Sequence, residues 1–250
     1  MPSARHASPG APRGPPPPRL LFALVLFRVA NTLLVQSYFN PDEYWQGPEV
    51  AHRMAFGYGH LTWEWSGAAR LRSCVHPLVF AGLYRALRAL GCDTRWAVAW
   101  GPRLLQAGAA GLGDLYVYRL GVRVFGERAG RWALACSLTS WFNFYCITRT
   151  FSNSLEAVLT VVALSLWPMD YGAAVAPLLP SKAGASATTT AVTTTDITTS
   201  LPKALAVAAL AVLVRPTSVL GWIPVGVVTV FSANSLREAA RVVGLACCIG

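Results

Sequence analysis

Two adjacent carboxylates, Asp42 and Glu43, are the side chains of this sequence best placed for acid–base chemistry. They stand in the segment Asn-Pro-Asp-Glu-Tyr-Trp-Gln at residues 40–46, directly after the mostly apolar run of residues 20–39. Carboxylates beside a bilayer are costly and seldom incidental, so their position indicates a functional site. The alternative is that Asp42 only caps the helix that follows.

Transfer of a sugar to a hydroxyl group is one reaction that such a pair can support. One carboxylate accepts the proton of the hydroxyl as the new bond forms. A single displacement with inversion, from a β-linked donor to an α-linked product, needs only this one base, whereas glycosidases use two carboxylates. The second carboxylate of the pair then either fixes the orientation of the base or holds an acceptor hydroxyl.

Aromatic and charged side chains follow in the predicted lumenal loop at residues 40–74. Aromatic faces beside a carboxylate suit sugar binding, and arginine forks suit a lipid phosphate. The alternative is a belt of interfacial tryptophans with arginines that extend to the lipid headgroups. The candidate substrate-binding side chains of this region are Trp45, Trp63, Glu64, Trp65, Arg72 and His76.

A later polar stretch, residues 148–156, contributes a further candidate. Arg149 is suited to bind a phosphate or to pair with an acidic residue. Asn153 and Glu156 have the spacing of a capping box, with Asn153 as the N-cap, which predicts a structural role. Asp114 lies within an apolar run, where an unpaired carboxylate is expensive, so we expect it to pair with an arginine.

Composition indicates an all-α polytopic membrane protein. Hydrophobic residues make up 54% of the chain and charged residues only 13%, whereas a soluble domain has about 25% charged residues. The formal net charge of +10 comes from arginines dispersed between apolar runs, a distribution that sets membrane topology and does not indicate nucleic acid binding. The six cysteines form no Cys-x-x-Cys pair, so neither a metal site nor a disulfide framework is expected.

The chain divides into a short tail and one membrane domain. Residues 1–19 are basic and proline-rich, so we expect them to be disordered and cytosolic. Residues 20–250 are expected to form a multi-span membrane domain with a flexible Thr-rich linker at 176–202. The last apolar run, 242–249, is too short for a span, which predicts a domain truncated at its C-terminus. The predicted spans and further apolar runs are 20–39, 75–90, 96–120, 129–147, 155–169, 204–214 and 219–231.

Four motifs occur in order along the chain. They are Phe-Asn-Pro-Asp-Glu-Tyr-Trp-Gln at 39–46, Phe-Gly-Tyr-Gly-His-Leu-Thr-Trp-Glu-Trp at 56–65, Leu-Arg-Ser at 71–73 and Thr-Arg-Thr-Phe-Ser-Asn-Ser-Leu-Glu at 148–156. Together they resemble the eukaryotic dolichol-phosphate-mannose-dependent mannosyltransferases. Within that family they are closest to the branch that adds the third mannose to the glycosylphosphatidylinositol (GPI) anchor precursor. The resemblance covers residues 20–231 and corresponds to the N-terminal half of a family member.

The resemblance implies a GT-C fold, here a partial one, with its active site on the lumenal face of the endoplasmic reticulum membrane. It implies transfer of mannose from the lipid-linked donor dolichol-phosphate-mannose to the second mannose of the GPI glycolipid, through an α-1,2 bond. Asp42 and Glu43 match the acidic motif of the family, with Asp42 as the expected base. No metal or other cofactor and no nucleic acid partner is implied.

Three other interpretations stay open at this point. A truncated isoform or fragment would keep the family motifs without turnover. A related mannosyltransferase would act in the assembly of lipid-linked oligosaccharides for N-glycans. A channel or transporter would also be rich in apolar spans, but transporters place charges near the bilayer midplane, whereas Asp42 and Glu43 stand at the end of a predicted span.

Overall fold

The computed structural model describes residues 18–65, 72–168 and 194–231, and the regular elements in these ranges are all helical. Most of the predicted tail, the Thr-rich segment up to residue 193 and the last apolar run lie outside the described residues. The α-helices are α1 (Pro18–Leu34), α2 (Asp42–Trp45), α3 (Pro48–Phe56), α4 (Val75–Ala89), α5 (Arg95–Phe125), α6 (Glu127–Thr139), α7 (Trp141–Cys146), α8 (Ser152–Leu166), α9 (Thr194–Val214) and α10 (Val219–Phe231). Short 3-10 helices cover Trp63–Trp65 and Pro216–Ser218.

The first predicted span is shorter in the structure than in the sequence pattern. The apolar run covers residues 20–39, but α1 ends at Leu34. Beyond this point the carbonyl oxygens of Val35 and Ser37 accept hydrogen bonds from arginine side chains instead of helix N–H groups. Tertiary donors therefore replace the helical hydrogen bonds that would have continued α1.

The predicted span at residues 129–147 consists of two helices. Helix α6 ends at Thr139 and α7 begins at Trp141. Between them, Ser140 is extended and its hydroxyl oxygen accepts a hydrogen bond from the backbone N–H of Asn143 at 3.4 Å. A serine in this position caps the second helix and separates it from the first.

Helices α4, α5 and α8 overlap the predicted spans at residues 75–90, 96–120 and 155–169. Helix α9 begins at Thr194 and so includes the end of the Thr-rich segment 176–202, which the sequence predicts to be a flexible linker. Among the described helices, none combines the length and the apolar composition that crossing a membrane requires.

The long helix α5 organises the described part of the chain, because it packs against α1, α4, α6 and α8. Two of these contacts bring helix backbones close together. A Cβ atom on Gly111 would lie 2.9 Å from the Cα of Val25 in α1, and one on Gly121 would lie 2.9 Å from the Cα of Gly130 in α6. Glycine at these crossings therefore sets the distance between the helices. Away from α5, helix α3 packs on α4, and α8 packs on α9.

A buried ion pair joins α1 to α5. Arg28 donates from Nε and Nη2 to the two carboxylate oxygens of Asp114 at 2.6 and 2.8 Å. The arginine side chain is fully buried and the aspartate is 4% exposed. The hydroxyl of Ser137 in α6 donates to the same carboxylate at 2.8 Å. The prediction that Asp114 pairs with an arginine is confirmed.

The predicted capping box at Asn153 is wrong. Helix α8 begins at Ser152, its N-cap position is Phe151, and no side chain caps it. The carboxylate of Glu156 instead accepts a hydrogen bond from Nη1 of Arg215 at 3.1 Å. This tertiary ion pair engages the carboxylate that a capping box would have turned back to the helix start.

Candidate active site

Asp42 begins the short helix α2, and its side chain is exposed. Its backbone N–H donates to the side-chain oxygen of Asn40 at 3.0 Å, so the asparagine forms the turn that starts the helix. The N-cap position is Pro41, and no side chain caps α2, so the alternative that Asp42 acts as a cap is wrong. Asp42 lines a cavity of about 380 Å³, and its carboxylate contacts no hydrogen-bond or ion-pair partner among the described residues.

Glu43, one residue later, points into the protein. Its side chain is fully buried, and Oε2 accepts a hydrogen bond from Nη1 of Arg149 at 2.6 Å. The hydroxyl of Thr150 donates to the main-chain oxygen of Glu43 at 2.7 Å. The second carboxylate oxygen has no hydrogen-bond partner and lies 3.8 Å from Nε of Arg103. A buried carboxylate requires compensating charge, so these two arginines account for its burial.

The same two arginines hold the chain that leads into the acidic motif. Arg149 donates from Nη2 to the carbonyl oxygen of Ser37 at 2.8 Å and from Nε to that of Tyr145 at 2.9 Å. Its guanidinium carbon lies 4.3 Å from the centre of the Tyr145 ring. Arg103 donates from Nη2 to the carbonyl oxygen of Val35 at 2.7 Å. The segment between α1 and α2 is thereby fixed to α5 and to the chain that precedes α8.

Two of the cavities near α2 share lining residues. The larger one, about 380 Å³, is lined by Asp42 and by residues of α7 and α8. The smaller one, about 220 Å³, is lined by residues around the start of α4 and the end of α9. Gln46, Arg72 and Arg215 line both cavities. We therefore treat them as the larger and smaller compartments of one cleft.

The smaller compartment brings together four of the predicted substrate-binding residues: Glu64, Trp65, Arg72 and His76. Arg72 donates from Nε and Nη2 to the two carboxylate oxygens of Glu64 at 2.9 and 3.0 Å. His76 is 3% exposed, and its Nε2 has no hydrogen-bond partner. The indole Nε1 of Trp65 is also buried without a partner. Buried polar atoms without a partner are uncommon in native proteins, so each one requires an explanation.

The other predicted site residues lie elsewhere. Trp45 and Trp63 are 40% and 69% exposed, and neither lines the cleft. Arg149 is fully buried against Glu43, so it faces no open space in this structure. Within the described ranges, His, Cys, Asp and Glu side chains form no group of three that would hold a metal ion.

Sequence reasoning missed Arg103 and Arg215 as members of the site. Arg103 lies inside an apolar run and Arg215 at the end of one, and a cation in such a place is itself a signal of function. Arg215 also begins an Arg-Pro-Thr helix break, and irregular backbone within a membrane domain lines protein or a cavity. These two signals were sufficient to nominate Arg215, whereas nothing local to Arg103 indicates its contact with Glu43.

Comparison with known proteins agrees with the four motifs. The model of the Alg9-like mannosyltransferase family matches residues 19–249. A mannosyltransferase of Arabidopsis thaliana is 42% identical over 215 residues, which cover 86% of this chain and 35% of the relative. GPI alpha-1,2-mannosyltransferase 3 of Homo sapiens is 40% identical over 205 residues, covering 82% and 32%. GPI mannosyltransferase 3 of Schizosaccharomyces pombe is 40% identical over 204 residues, covering 80% and 37%.

These matches cover most of the chain but only part of each relative. The chain spans about a third of the length of the curated relatives that it matches. No solved structure matches it significantly. The family model, by contrast, extends over nearly the whole chain, including the acidic motif and the cleft beside it. The chain therefore belongs to the Alg9-like mannosyltransferase family, and its relatives at about 40% identity include GPI mannosyltransferase 3 of human and of fission yeast.

Proposed function

We propose that the full-length protein is an α-1,2-mannosyltransferase of GPI-anchor biosynthesis. It transfers mannose from dolichol-phosphate-mannose to the second mannose of the GPI precursor. Membership of a mannosyltransferase family supports the transferred sugar. The name of the human relative, a GPI alpha-1,2-mannosyltransferase, supports the acceptor and the linkage.

The proposal includes a multi-pass GT-C membrane domain in the endoplasmic reticulum, with the active site on the lumenal side. A composition of 54% hydrophobic and 13% charged residues supports a lipid environment. The exposed indoles of Trp45 and Trp63 suit the headgroup region of a bilayer, where tryptophan is enriched. In that position they would contact the lipid-linked donor or the glycolipid acceptor.

Asp42 is the base in this proposal, and one observation carries the assignment. Asp42 lines the larger compartment without an internal partner, whereas Glu43 is buried against Arg149. An acceptor hydroxyl in this compartment donates its proton to Asp42 while its oxygen attacks C1 of the donor mannose. The bond from C1 to the phosphate oxygen breaks, and its electron pair leaves on dolichyl phosphate. The β-linked donor thus becomes an α-linked product in a single displacement.

Glu43 acts as a positioning residue in this mechanism. Its carboxylate is tied to Arg149 and its main-chain oxygen to Thr150. These two bonds anchor the helix α2, which carries Asp42, to the chain that precedes α8. Arg149 shares the positioning role, because binding a phosphate would require it to leave a fully buried ion pair, and breaking such a pair is strongly unfavourable.

The smaller compartment supplies the substrate-binding side chains. Trp65 offers an aromatic face, and Glu64 lies beside it. Arg72 and His76 line the same space and offer hydrogen-bond donors. Aromatic faces combined with a few convergent polar groups are typical of small-molecule sites.

The substitution Asp42→Asn tests the assignment of the base. We expect it to lower mannose transfer by the full-length protein at least about 100-fold, because general-base catalysis contributes about 10²–10⁴-fold. Protein levels should not change, since the Asp42 carboxylate has no internal contact among the described residues. Growth rescue of yeast that lack their own third GPI mannosyltransferase is the measurement.

The matched control is Asp93→Asn, which neutralises an exposed carboxylate in the loop between α4 and α5, outside the cleft. This variant should rescue growth like the wild type. Wild-type rescue by Asp42→Asn would remove Asp42 as the base. Loss of rescue with both variants would show that the assay responds to charge alone.

A further inference from the structure

We propose that Arg72 and Arg215 form an oxyanion subsite in the smaller compartment, and that this subsite binds the phosphate group of the lipid-linked sugar donor. The inference rests on the proposed function and deepens it by adding Arg215, which lies at the helix break between α9 and α10. Three features of the compartment support it: unpartnered buried donors, spare arginine N–H groups, and continuity with the space that Asp42 lines.

The buried donors indicate that a ligand supplies acceptor atoms. Nε1 of Trp65 can only donate a hydrogen bond, and it has no partner. His76 is 3% exposed, and its Nε2 is likewise unpartnered. A buried polar nitrogen left unsatisfied costs about 1–3 kcal/mol. A bound group that presents oxygens would accept a hydrogen bond from Trp65 and one from His76 in the tautomer that carries its hydrogen on Nε2.

Each arginine retains N–H groups after forming its ion pair. Arg72 uses Nε and Nη2 for Glu64, which leaves Nη1 without a described partner. Arg215 uses Nη1 for Glu156, which leaves Nε and Nη2. The side chains of Arg72 and Arg215 are 33% and 32% exposed, so these groups are accessible from the cleft. The carboxylates thus hold the two guanidinium groups in place and leave N–H donors of each one free to bind a ligand.

The charge of the compartment favours an oxyanion over a neutral sugar. Its described lining contains two guanidinium groups, Arg72 and Arg215, but one carboxylate, Glu64, because Glu156, the partner of Arg215, does not line the compartment. Arginine forks match the geometry of phosphate oxygens, and such charge-assisted hydrogen bonds are about twice as strong as neutral ones. A volume of about 220 Å³ is several times the roughly 30 Å³ that one water molecule occupies in the liquid.

The position of Arg215 follows from the proline after it. A residue that precedes proline avoids the helical conformation, and Arg215 is extended, with φ −142° and ψ 108°. Helix α9 therefore ends at Val214, and Arg215 lines both compartments of the cleft. A phosphate bound there lies next to the space that Asp42 lines, so C1 of the attached mannose would be within reach of an acceptor hydroxyl in that space.

The decisive experiment breaks the same ion pair from each side in the full-length protein. Arg215→Gln removes the cation, so we expect the KM for dolichol-phosphate-mannose to rise about 10-fold or more, the loss expected for a hydrogen bond to a charged group. Glu156→Gln removes the partner carboxylate and leaves the cation in place. We expect this control to keep the KM within about 2-fold of the wild type or to lower it.

A purely structural role for the pair gives a different result. Both substitutions would then reduce the amount of folded protein to a similar extent, and neither would change the KM selectively. That outcome overturns the subsite. Arg72→Gln repeats the test on the other side of the compartment, where a rise in the KM of about 10-fold or more is again expected.

Competition experiments identify the form of phosphate that binds. We expect dolichyl phosphate to compete with the donor and to do so at least about 10-fold more weakly in Arg215→Gln. Competition by inorganic phosphate as well would identify the phosphate group alone as the determinant, whereas its failure would identify the lipid-linked form as the ligand. Competition by dolichyl phosphate that is unchanged in Arg215→Gln would overturn the proposal.

A second readout separates the subsite from the proposed reaction. If the wild-type protein transfers no mannose to the GPI precursor, the proposed function fails. Thermal stabilisation of the purified protein by dolichyl phosphate then still reports on the subsite. Stabilisation that is lost in Arg215→Gln and kept in Glu156→Gln supports phosphate binding, and the absence of any stabilisation overturns it.

Discussion

The two fully buried arginine side chains of the described chain, Arg28 and Arg149, belong to ion pairs that differ in how completely their charges are satisfied. Both oxygens of Asp114 accept bonds from Arg28, and Ser137 adds a third. Around Glu43, one oxygen is bonded to Arg149 and the other has no hydrogen-bond partner. The first pair joins the helices α1 and α5. The second pair joins Glu43, within the acidic motif, to Arg149 in the chain that precedes α8.

This difference in hydrogen bonding suggests different roles for the two ion pairs. A buried polar network that is fully satisfied makes a structure rigid, whereas a partly satisfied one is costly. Proteins tolerate such costs mainly at functional sites. We therefore interpret the pair of Arg28 and Asp114 as a fixture of the helix packing, and the pair of Glu43 and Arg149 as a device that holds Asp42 in place.

The largest effect is expected when the scaffold pair is broken from one side. Arg28→Met leaves Asp114 buried and uncompensated, which should cost about 3–5 kcal/mol and remove most of the folded protein. The measurement is the monodisperse peak of the detergent-solubilised full-length protein in size-exclusion chromatography. The double variant Arg28→Met with Asp114→Leu removes both charges and should recover most of this loss. A double variant as unstable as the single one would contradict the attribution of the loss to an uncompensated buried charge.

A somewhat smaller loss of stability, with a larger effect on function, is expected at the second pair. Arg149→Met leaves Glu43 with only the longer contact to Arg103, at 3.8 Å, and should cost about 3 kcal/mol. Adding Glu43→Gln should restore protein levels, because the buried charge is then removed. Growth rescue should nevertheless stay well below wild type, since α2 is then anchored only by the hydrogen bond from Thr150. Full rescue by the double variant would show that Asp42 does not depend on this anchor.

The smallest effects test one hydroxyl hydrogen bond at each pair. Ser137→Ala removes a donor to Asp114 and Thr150→Val removes a donor to the main-chain oxygen of Glu43. Thr150→Val should lower stability by about 1 kcal/mol, and Ser137→Ala, which removes a bond to a carboxylate, by about 1.5–3 kcal/mol. If only the pair of Glu43 and Arg149 holds Asp42 in place, only Thr150→Val also lowers the rate of mannose transfer at equal protein level. Equal rates for the two variants would place both networks in the scaffold.

Apolar runs predicted that helices exist but not where they end. The run at residues 20–39 gives a helix that stops at Leu34, because the next carbonyl groups bond to arginines far away in the chain. The run at 129–147 is divided at Ser140, whose capping ability competes with continuation of the helix. Length and hydropathy carry no information on these competing partners.

The sequence singles out the acidic motif and gives Asp42 as the expected base, but it does not predict which of the two carboxylates is buried. Successive residues of a helix point about 100° apart, because there are 3.6 residues per turn. One carboxylate of an adjacent pair can therefore face a cavity while the other is buried, as Asp42 and Glu43 do. Which one is buried depends on Arg149, which lies 106 residues further along the chain and leaves no local pattern near the motif.

This separation has a consequence for the order in which the protein is made. The carbonyl oxygen of Ser37 and the carboxylate of Glu43 receive their hydrogen bonds from a residue 112 and 106 positions later. During synthesis the ribosome must therefore add Arg149 before the acidic motif can reach its final arrangement. Until then, a nascent chain carries an uncompensated glutamate, and any machinery that assists early folding would encounter the acidic motif before it has reached its final arrangement.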